Sequence, residues 1–348
     1  MRILNEKFNT IINIHMNISK VDICCGLNWG DEAKGKVVAH LVKNFHYDYV
    51  CRWAGGNNAG HTIYVDGKKY KTHLIPSGIF YNVKSIIGPD CVVHPDSFMK
   101  ELKYLRENGF DTSLIKISPK AHIVTETHIQ EDKDKYKDQG TTSNGIAPCY
   151  KDKFGRKGIR AENVECLKDY IWDEVLDGIV LCEGAQGFWL DINYGNYPYV
   201  TSSTTLPYGA CCLGFPPQKI DKIYGASKIY DTRSGTDPLF PETLLDDEIL
   251  MSIVKVGGEI GTTTGRIRKV NWLNLDKLIV AINTSGITDI IISKIDVLIR
   301  VNAYKLFHNN TLITFKNIDE MQLYINDSIT SFCKYVTTIS YSGNVEGI

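Results

Sequence analysis

Short apolar runs alternate with helical apolar faces along this chain. Val21 to Cys25 reads as a buried strand, and behind it Val37, Val38, Leu41, Val42 and Phe45 fall on one face of a helix. Tyr49 to Trp53 and Ile179 to Glu183 read as further buried strands. Asp96 is expected to cap a helix carrying Phe98, Leu102 and Leu105, with Gly109 ending it. Asn274 is expected to cap another, with Leu275, Leu278, Ile279 and Ile282 on its buried face. Gly286 closes that helix, and Ile290 to Ile292 follow as a strand. Strand–helix alternation of this kind predicts an α/β fold, a mainly parallel central sheet flanked by helices. The charged stretch Glu131 to Asp138 reads as a solvated flank leading into a loop at Gly140. Residues 1–20 precede the first strand and are expected to be a disordered or surface extension, with Met16 a candidate start.

Composition narrows the class. The 348 residues suffice for one large domain or two small ones, and 43% hydrophobic content supports a globular core. A formal net charge of −1 leaves no overall basic field to recruit nucleic acid. No apolar run approaches the ~20 residues needed to span a bilayer. The ten cysteines include the adjacent pairs Cys24–Cys25 and Cys211–Cys212 but no C-x-x-C spacing. They read as small buried residues in a reducing, cytoplasmic setting.

Two glycine-rich segments carry the chemistry. The first, Gly26 to Lys36, joins the first strand to the first helix, the usual geometry for holding a phosphate at a helix N-terminus. Gly30 to Lys36 fits the spacing G-x-x-x-x-G-K of a phosphate-binding loop. Val37 follows where such a loop needs Ser or Thr to hold magnesium. Asp31, inside the turn, is a carboxylate able to ligate magnesium, take a proton, or do both. The alternative reading is a tight turn with a solvated lysine. The second segment, Ala54 to Thr62, follows another strand. Its glycines and asparagines suit positive φ and close backbone approach to a ligand, and His61 stands at its end.

Trp29-Gly-Asp-Glu-Ala-Lys-Gly-Lys36 and Gly55-Gly-Asn-Asn-Ala-Gly-His-Thr62 resemble the opening motifs of the adenylosuccinate synthetase family. The resemblance continues in order through His73–Gly78, Gly140–Thr142, Gly145–Ile146, Tyr150–Lys153 and Gly158–Arg160. It runs on through Glu183–Gly187, Tyr197–Ser203, Gly261–Arg266 and Lys294–Leu298. It implies one catalytic domain over 21–348 with small subdomains, joining IMP to L-aspartate with GTP and Mg²⁺. By this resemblance Asp31 is the base that removes the IMP N1 proton and also a Mg²⁺ ligand, with the Gly60 carbonyl as a second. Lys34, His61 and Gln186 complete the catalytic set. Gly30, Glu32, Gly35, Lys36, Gly60 and Thr62 would hold the GTP phosphates, and Lys294, Asp296, Ser342 and Gly343 the guanine. Asn58, Thr142, Gln186, Thr201 and Arg266 would bind IMP. Arg156 would reach the IMP site of a neighbouring subunit, implying a homodimer. Thr262, Thr263, Thr264, Arg266 and Arg268 would bind L-aspartate, the arginines through paired hydrogen bonds.

Some positions depart from the family pattern. Ala33 replaces a glycine inside the phosphate turn, at a cost on the order of 1 kcal/mol if φ is positive there. Asn144 stands where many members have arginine, the tail Ser342-Gly-Asn-Val345 matches poorly, and about twenty residues separate Arg160 from Glu183 where longer members carry extra helices. Two other readings remain open at this stage. One is the phage-type relative that joins dGMP to aspartate, against which Asp31 and Asp296 argue. The other is a silent nucleotide binder, against which Asp31, His61, Gln186 and Arg266 argue together.

Overall fold

The computed structural model of the chain describes residues 18–261 and 265–343. Fifteen strands occur among them. In chain order they are β1 (Ile18–Gly26), β2 (Tyr49–Gly55), β3 (His61–Val65), β4 (Lys68–Thr72), β5 (Lys84–Val93), β6 (Ile115–Ile117), β7 (His122–Ile123) and β8 (Gly178–Glu183). β9 (Ile220–Lys228), β10 (Tyr230–Arg233), β11 (Lys269–Asn274), β12 (Asp289–Ser293), β13 (Lys305–His308), β14 (Thr311–Thr314) and β15 (Thr338–Ser342) follow. The helices are α1 (Lys34–Asn44), α2 (Pro95–Glu107), α3 (Glu126–Lys135), α4 (Ile146–Phe154), α5 (Glu248–Gly257), α6 (Leu275–Ser285), α7 (Ile295–Val301) and α8 (Ile318–Phe332).

The central sheet has nine strands in the order β15-β12-β9-β1-β8-β2-β5-β6, with β7 also on β5. Its pairings are parallel, β1 lying between β8 (Val21 opposite Val180) and β9 (Ile23 opposite Ile223). The period-two alternation of strand side chains decides which face each residue serves. Cys24, Val50, Leu181, Ala226 and Ile291 face α1, packing on Val37, Val38, Leu41 and Val42. Their neighbours Ile23, Cys25, Cys51, Val180, Cys182, Ile290 and Ile292 join the opposite core, with Leu250 and Ile253 of α5, Leu278 and Ile282 of α6, and Met321 and Ile325 of α8. A sheet buried on both faces explains why these strands read as continuous apolar runs. Two small sheets stand off it, the four-stranded β10-β11-β13-β14 and the hairpin β3-β4.

Most sequence expectations for single elements hold. Asn274 caps α6 by accepting from Lys277 N at 2.9 Å, and Gly286 closes it at φ 65°. Three differ. β1 begins at Ile18, which pairs with Gly178, so 18–20 belong to the sheet, while residues 1–17 lie outside the described residues. α2 has His94 rather than Asp96 at its N-cap position, because Pro95, whose fixed φ suits a first helical position, starts the helix two residues sooner. The stretch from Glu131 is largely helical. Thr125 and His128 form a reciprocal cap at the start of α3, and Glu131–Lys135 pair at 3.2 Å along it. Among the described residues no helix is long and apolar enough to cross a membrane.

Candidate active site

A cavity of about 620 Å³ opens where the loops after β1, β2, β8 and β12 converge. This is the carboxyl edge of the parallel sheet, where open α/β sheets bind ligands. Ten lysine and arginine side chains line it against three aspartates, in a chain of net charge −1. Such a surplus suits ligands carrying several phosphates or carboxylates.

The turn after β1 is left-handed at Gly30 (φ 88°), Asp31 (φ 63°) and Ala33 (φ 64°). Glu32, 1% exposed, holds it from within. It accepts from Asn28 N at 3.1 Å and Gly30 N at 2.8 Å, and pairs with Lys34 Nζ at 2.6 Å. A Cβ on Gly187 would lie 2.2 Å from the Glu32 carboxylate and one on Gly26 2.4 Å from it, so both glycines make room for that side chain. The Glu32 carboxylate therefore braces the turn instead of lining the cavity, and Gly30, Gly35, Lys34 and Lys36 line it. Ala33 precedes α1 without a side-chain cap, and its carbonyl accepts from Lys36 N at 3.0 Å. Lys36 Nζ donates to Ser342 Oγ at 2.6 Å, and burial reinforced by Lys294 brings its pKa down to about 8.

Asp31 carries an ion pair. Its Oδ2 lies 2.8 Å from Arg268 Nε and accepts from Ser234 Oγ at 3.3 Å. Arg268 in turn pairs with Glu259 at 2.7 Å. Burial alone would raise the Glu259 pKa, but Lys228 and Arg268 outweigh it and bring it down to about 2.

The loop after β2 supplies Asn58 and Gly60 to the cavity, and the start of β3 supplies His61 and Thr62. Asn58 Oδ1 accepts from Gly56 N at 3.2 Å. His61 Nδ1 contacts the buried carboxylate of Glu183, which also accepts from Ser77 N at 2.7 Å and Ser77 Oγ at 2.8 Å. Burial lowers the His61 pKa and Glu183 opposes that shift. Gly35 allows α1 to approach this ring, since a Cβ there would stand 3.0 Å from His61 Cβ.

Gln186, at φ 55° beyond β8, accepts from Ser203 Oγ at 3.1 Å, and Thr201 Oγ1 lies 3.2 Å from the same hydroxyl. Asp132 fixes the Gly140 loop by accepting from Thr141 Oγ1 and Gly145 N, both at 2.8 Å, which puts Thr142 on the cavity. Lys294 turns left-handed (φ 70°) after β12, donates to Gly257 O at 2.7 Å and leads into α7, where Asp296 pairs with Arg300 at 2.6 Å. Gly343 lies against Asp296, where a Cβ would be 3.0 Å from the Asp296 Cβ.

Gly30, Asp31, Lys34, Gly35, Lys36, Asn58, Gly60, His61, Thr62, Thr142, Gln186, Thr201, Arg266, Arg268, Lys294, Asp296 and Gly343 thus share one cavity. Arg156 does not line it. It is exposed at φ 60° just beyond α4. Thr262, Thr263 and Thr264 lie outside the described residues. Sequence reasoning missed Glu183, Asp132, Ser234, Lys228 and Glu259. Glu183 was visible as the first residue of a recognised block, whereas nothing in the local pattern marked the others.

A parallel sheet with a phosphate-type turn and a cationic cavity at its carboxyl edge defines a nucleotide-binding α/β protein. The sequence profile of adenylosuccinate synthetase matches residues 23–177 and 163–327. The adenylosuccinate synthetase of Shouchella clausii is 40% identical over an alignment of 342 residues, covering 82% of this chain and 79% of that protein. The fully ligated adenylosuccinate synthetase of Plasmodium falciparum superposes with a TM-score of 0.79 at 28% identity, covering 94% of this chain and 98% of that one. A cyanophage S-2L succinoaminodeoxyadenylate synthetase, bound to dGMP and dATP, shares the fold at a TM-score of 0.72 and 17% identity, over 95% of this chain and 94% of that one. The chain belongs to the adenylosuccinate synthetase family, and with it to the ligases of purine biosynthesis.

Proposed function

We propose that this protein joins IMP and L-aspartate to adenylosuccinate with GTP as the energy source, releasing GDP and phosphate. The observation that carries the reading is the convergence of Asp31, His61, Gln186 and Arg268 on one cationic cavity beside a phosphate-type turn. The purine 6-oxygen is a poor leaving group and must be phosphorylated first. Asp31 takes the N1 proton, which makes the 6-oxygen nucleophilic. Gln186 orients that oxygen. Ser203 occupies its Oε1, so the amide N–H groups are the ones left to donate. The α1 amides, Lys34 and Lys36 hold the phosphates. His61, with Glu183 as counter-charge, donates through Nε2 as negative charge moves to the leaving GDP. The aspartate amine then attacks C6 and expels phosphate. Arg266 and Arg268, with Thr262, Thr263 and Thr264, hold its carboxylates. Asn58, Thr142 and Thr201 bind IMP. Asp296 accepts from the guanine N1 and N2 donors beside Ser342 and Gly343.

A magnesium ion fits the donors present. Asp31 and the Gly60 carbonyl are hard oxygen ligands on the same cavity, and the described residues include no cluster of three or more His, Cys, Asp or Glu side chains to form a full cage. Magnesium is usually held by one or two carboxylates together with substrate phosphates. When bound it would neutralise developing charge on the transferring phosphate.

The same reading takes residues 21–348 as one catalytic domain in a cytoplasmic enzyme. One large core that draws on β1, β8, β11, β12 and α8 supports the single domain, and ten unpaired cysteines support the reducing setting. Arg156, exposed beside Phe154 (74% exposed) and Ile159 (48%), suits a homodimer in which it reaches the partner's IMP. The test is phosphate release with Mg²⁺ and L-aspartate, crossing IMP or dGMP with GTP or ATP. Release confined to IMP plus GTP is expected. Release with dGMP alone would overturn the substrate assignment.

A further inference from the structure

We propose that Glu259 is a positioning residue for the amino-acid substrate, a fixed pivot that aims Arg268 between the incoming dicarboxylate and Asp31. The proposal rests on the reading of this cavity as an IMP–aspartate ligase site. Glu259 is fully buried and is reached by donors from three segments. Lys228 Nζ, at the end of β9, lies 2.9 Å from Oε2, and Tyr230 OH, on β10, donates to Oε1 at 2.7 Å. Arg268 Nη1 donates to Oε2 at 2.7 Å, and the Arg268 backbone N–H donates to the Glu259 carbonyl at 3.0 Å. Side chain and main chain thus clasp Arg268 to the same residue, and the Ile260–Ile267 bridge closes the pair from the next position.

The two acidic partners of Arg268 differ in kind. The Glu259 side chain is 0% exposed and both its oxygens are occupied, so releasing it would strand a buried charge beside Lys228. The Asp31 side chain is 26% exposed on the cavity, where solvent or ligand can replace a lost partner. A carboxylate entering the cavity therefore competes with Asp31 for the Nε edge, while Glu259 keeps the Nη1 edge in place. Arg268 swings about the Glu259 contact, which links amino-acid binding to release of the Asp31 carboxylate. Lys228 also lines the cavity and is held by Glu259 and by Thr232 Oγ1 at 3.0 Å, so the same pivot fixes a second cation there.

Steady-state kinetics with each substrate varied in turn test this. Glu259→Gln keeps the shape and loses the charge. It should raise KM for L-aspartate at least about tenfold, the scale of one charge-assisted hydrogen bond. KM for IMP and GTP should stay within about twofold, since Asp31, the one group of this network placed at IMP, keeps its own carboxylate in the variant. Glu259→Asp should recover part of the loss. Tyr230→Phe removes one hydrogen bond and keeps all charges, so it should raise KM for L-aspartate by roughly two- to fourfold. It carries the test if Glu259→Gln does not fold. An unchanged aspartate KM in the variants, or equal rises in all three KM values, would overturn the proposal. Wild-type protein inactive with IMP, GTP and aspartate would overturn the functional reading instead. The pivot is then judged by NMR of the Arg268 guanidinium. Protons exchanging at least about tenfold faster in Tyr230→Phe would sustain it, and exchange unchanged from wild type would sink it.

Discussion

Replacing Gly187 by alanine should destabilise this protein far more than the loss of one hydrogen atom suggests. Gly187 is at φ −138°, a conformation alanine adopts freely, so no backbone strain is involved. The cost is steric. The new methyl would lie 2.2 Å from Glu32 Oε1, 2.5 Å from Asn28 O and 2.6 Å from Gly30 N. Two of those neighbours are backbone and cannot rotate away. Overpacking of this kind costs about 1–3 kcal/mol. Glu32 must also retreat from the Asn28 and Gly30 amides it accepts from, and each buried amide left unsatisfied costs about 1–3 kcal/mol. A total of roughly 4 kcal/mol follows if one amide finds a new partner. With an unfolding entropy near 2 cal/mol/K per residue, that corresponds to a fall of about 5 °C in melting temperature. Gly67→Ala is the control. Its φ is 76° but nothing lies within 4 Å of the added Cβ, so only the left-handed strain of about 1 kcal/mol applies. Thermal unfolding followed by circular dichroism separates the two. A Gly187→Ala melting temperature no lower than that of Gly67→Ala would refute the reasoning.

Other perturbations probe the cavity and its turn. Ala33→Gly should stabilise by up to about 1 kcal/mol, because φ 64° strains alanine and not glycine; a lower denaturation midpoint would contradict this. Asp31→Asn should lower turnover by about a thousandfold or more while binding of a fluorescent GTP analogue persists, and unchanged turnover would remove Asp31 from the base role. Lys36, with a pKa near 8, should lose its proton as pH rises through that value. GTP affinity should therefore fall above pH 8, and binding at pH 8 should take up a proton, read by calorimetry in buffers of different ionisation enthalpy. The unfolded chain keeps that lysine protonated to higher pH, so this group's contribution to stability improves between about 8 and 10.5. A GTP affinity flat from pH 7 to 9 would exclude the shift.

The sheet and the phosphate turn were legible because they depend on short-range order. Buried strands such as Ile290–Ile292 are apolar on both faces, and Asn274 and Gly286 bracket α6 through contacts a few residues long. The glycine-rich blocks could be matched one by one, since each keeps its chemistry within a few residues. Helix starts were less legible. Asp96 and Pro95 both favour a first turn, and Pro95 takes the first helical position while Phe98, Leu102 and Leu105 pack into one core with β5 and the hairpin. α3 was hidden because its face is polar. Its buried side chains are His128 and Asp132, and Asp132 accepts from Thr141 and Gly145 of the next loop.

The sequence by itself determined the fold class, the phosphate turn and many of the residues that gather at the cavity. It also marked Ala33 as a position that would be strained if its φ were positive, and the structure supplied that φ. Only the tertiary structure decided how those residues are paired. Glu32 braces the turn from inside, Glu183 meets His61 across more than a hundred residues, and Glu259 ties Arg268 to the cavity beside Asp31. The physical reason is that ion pairs between buried side chains depend on distance in space and on the loss of water. Neither follows from spacing along the chain.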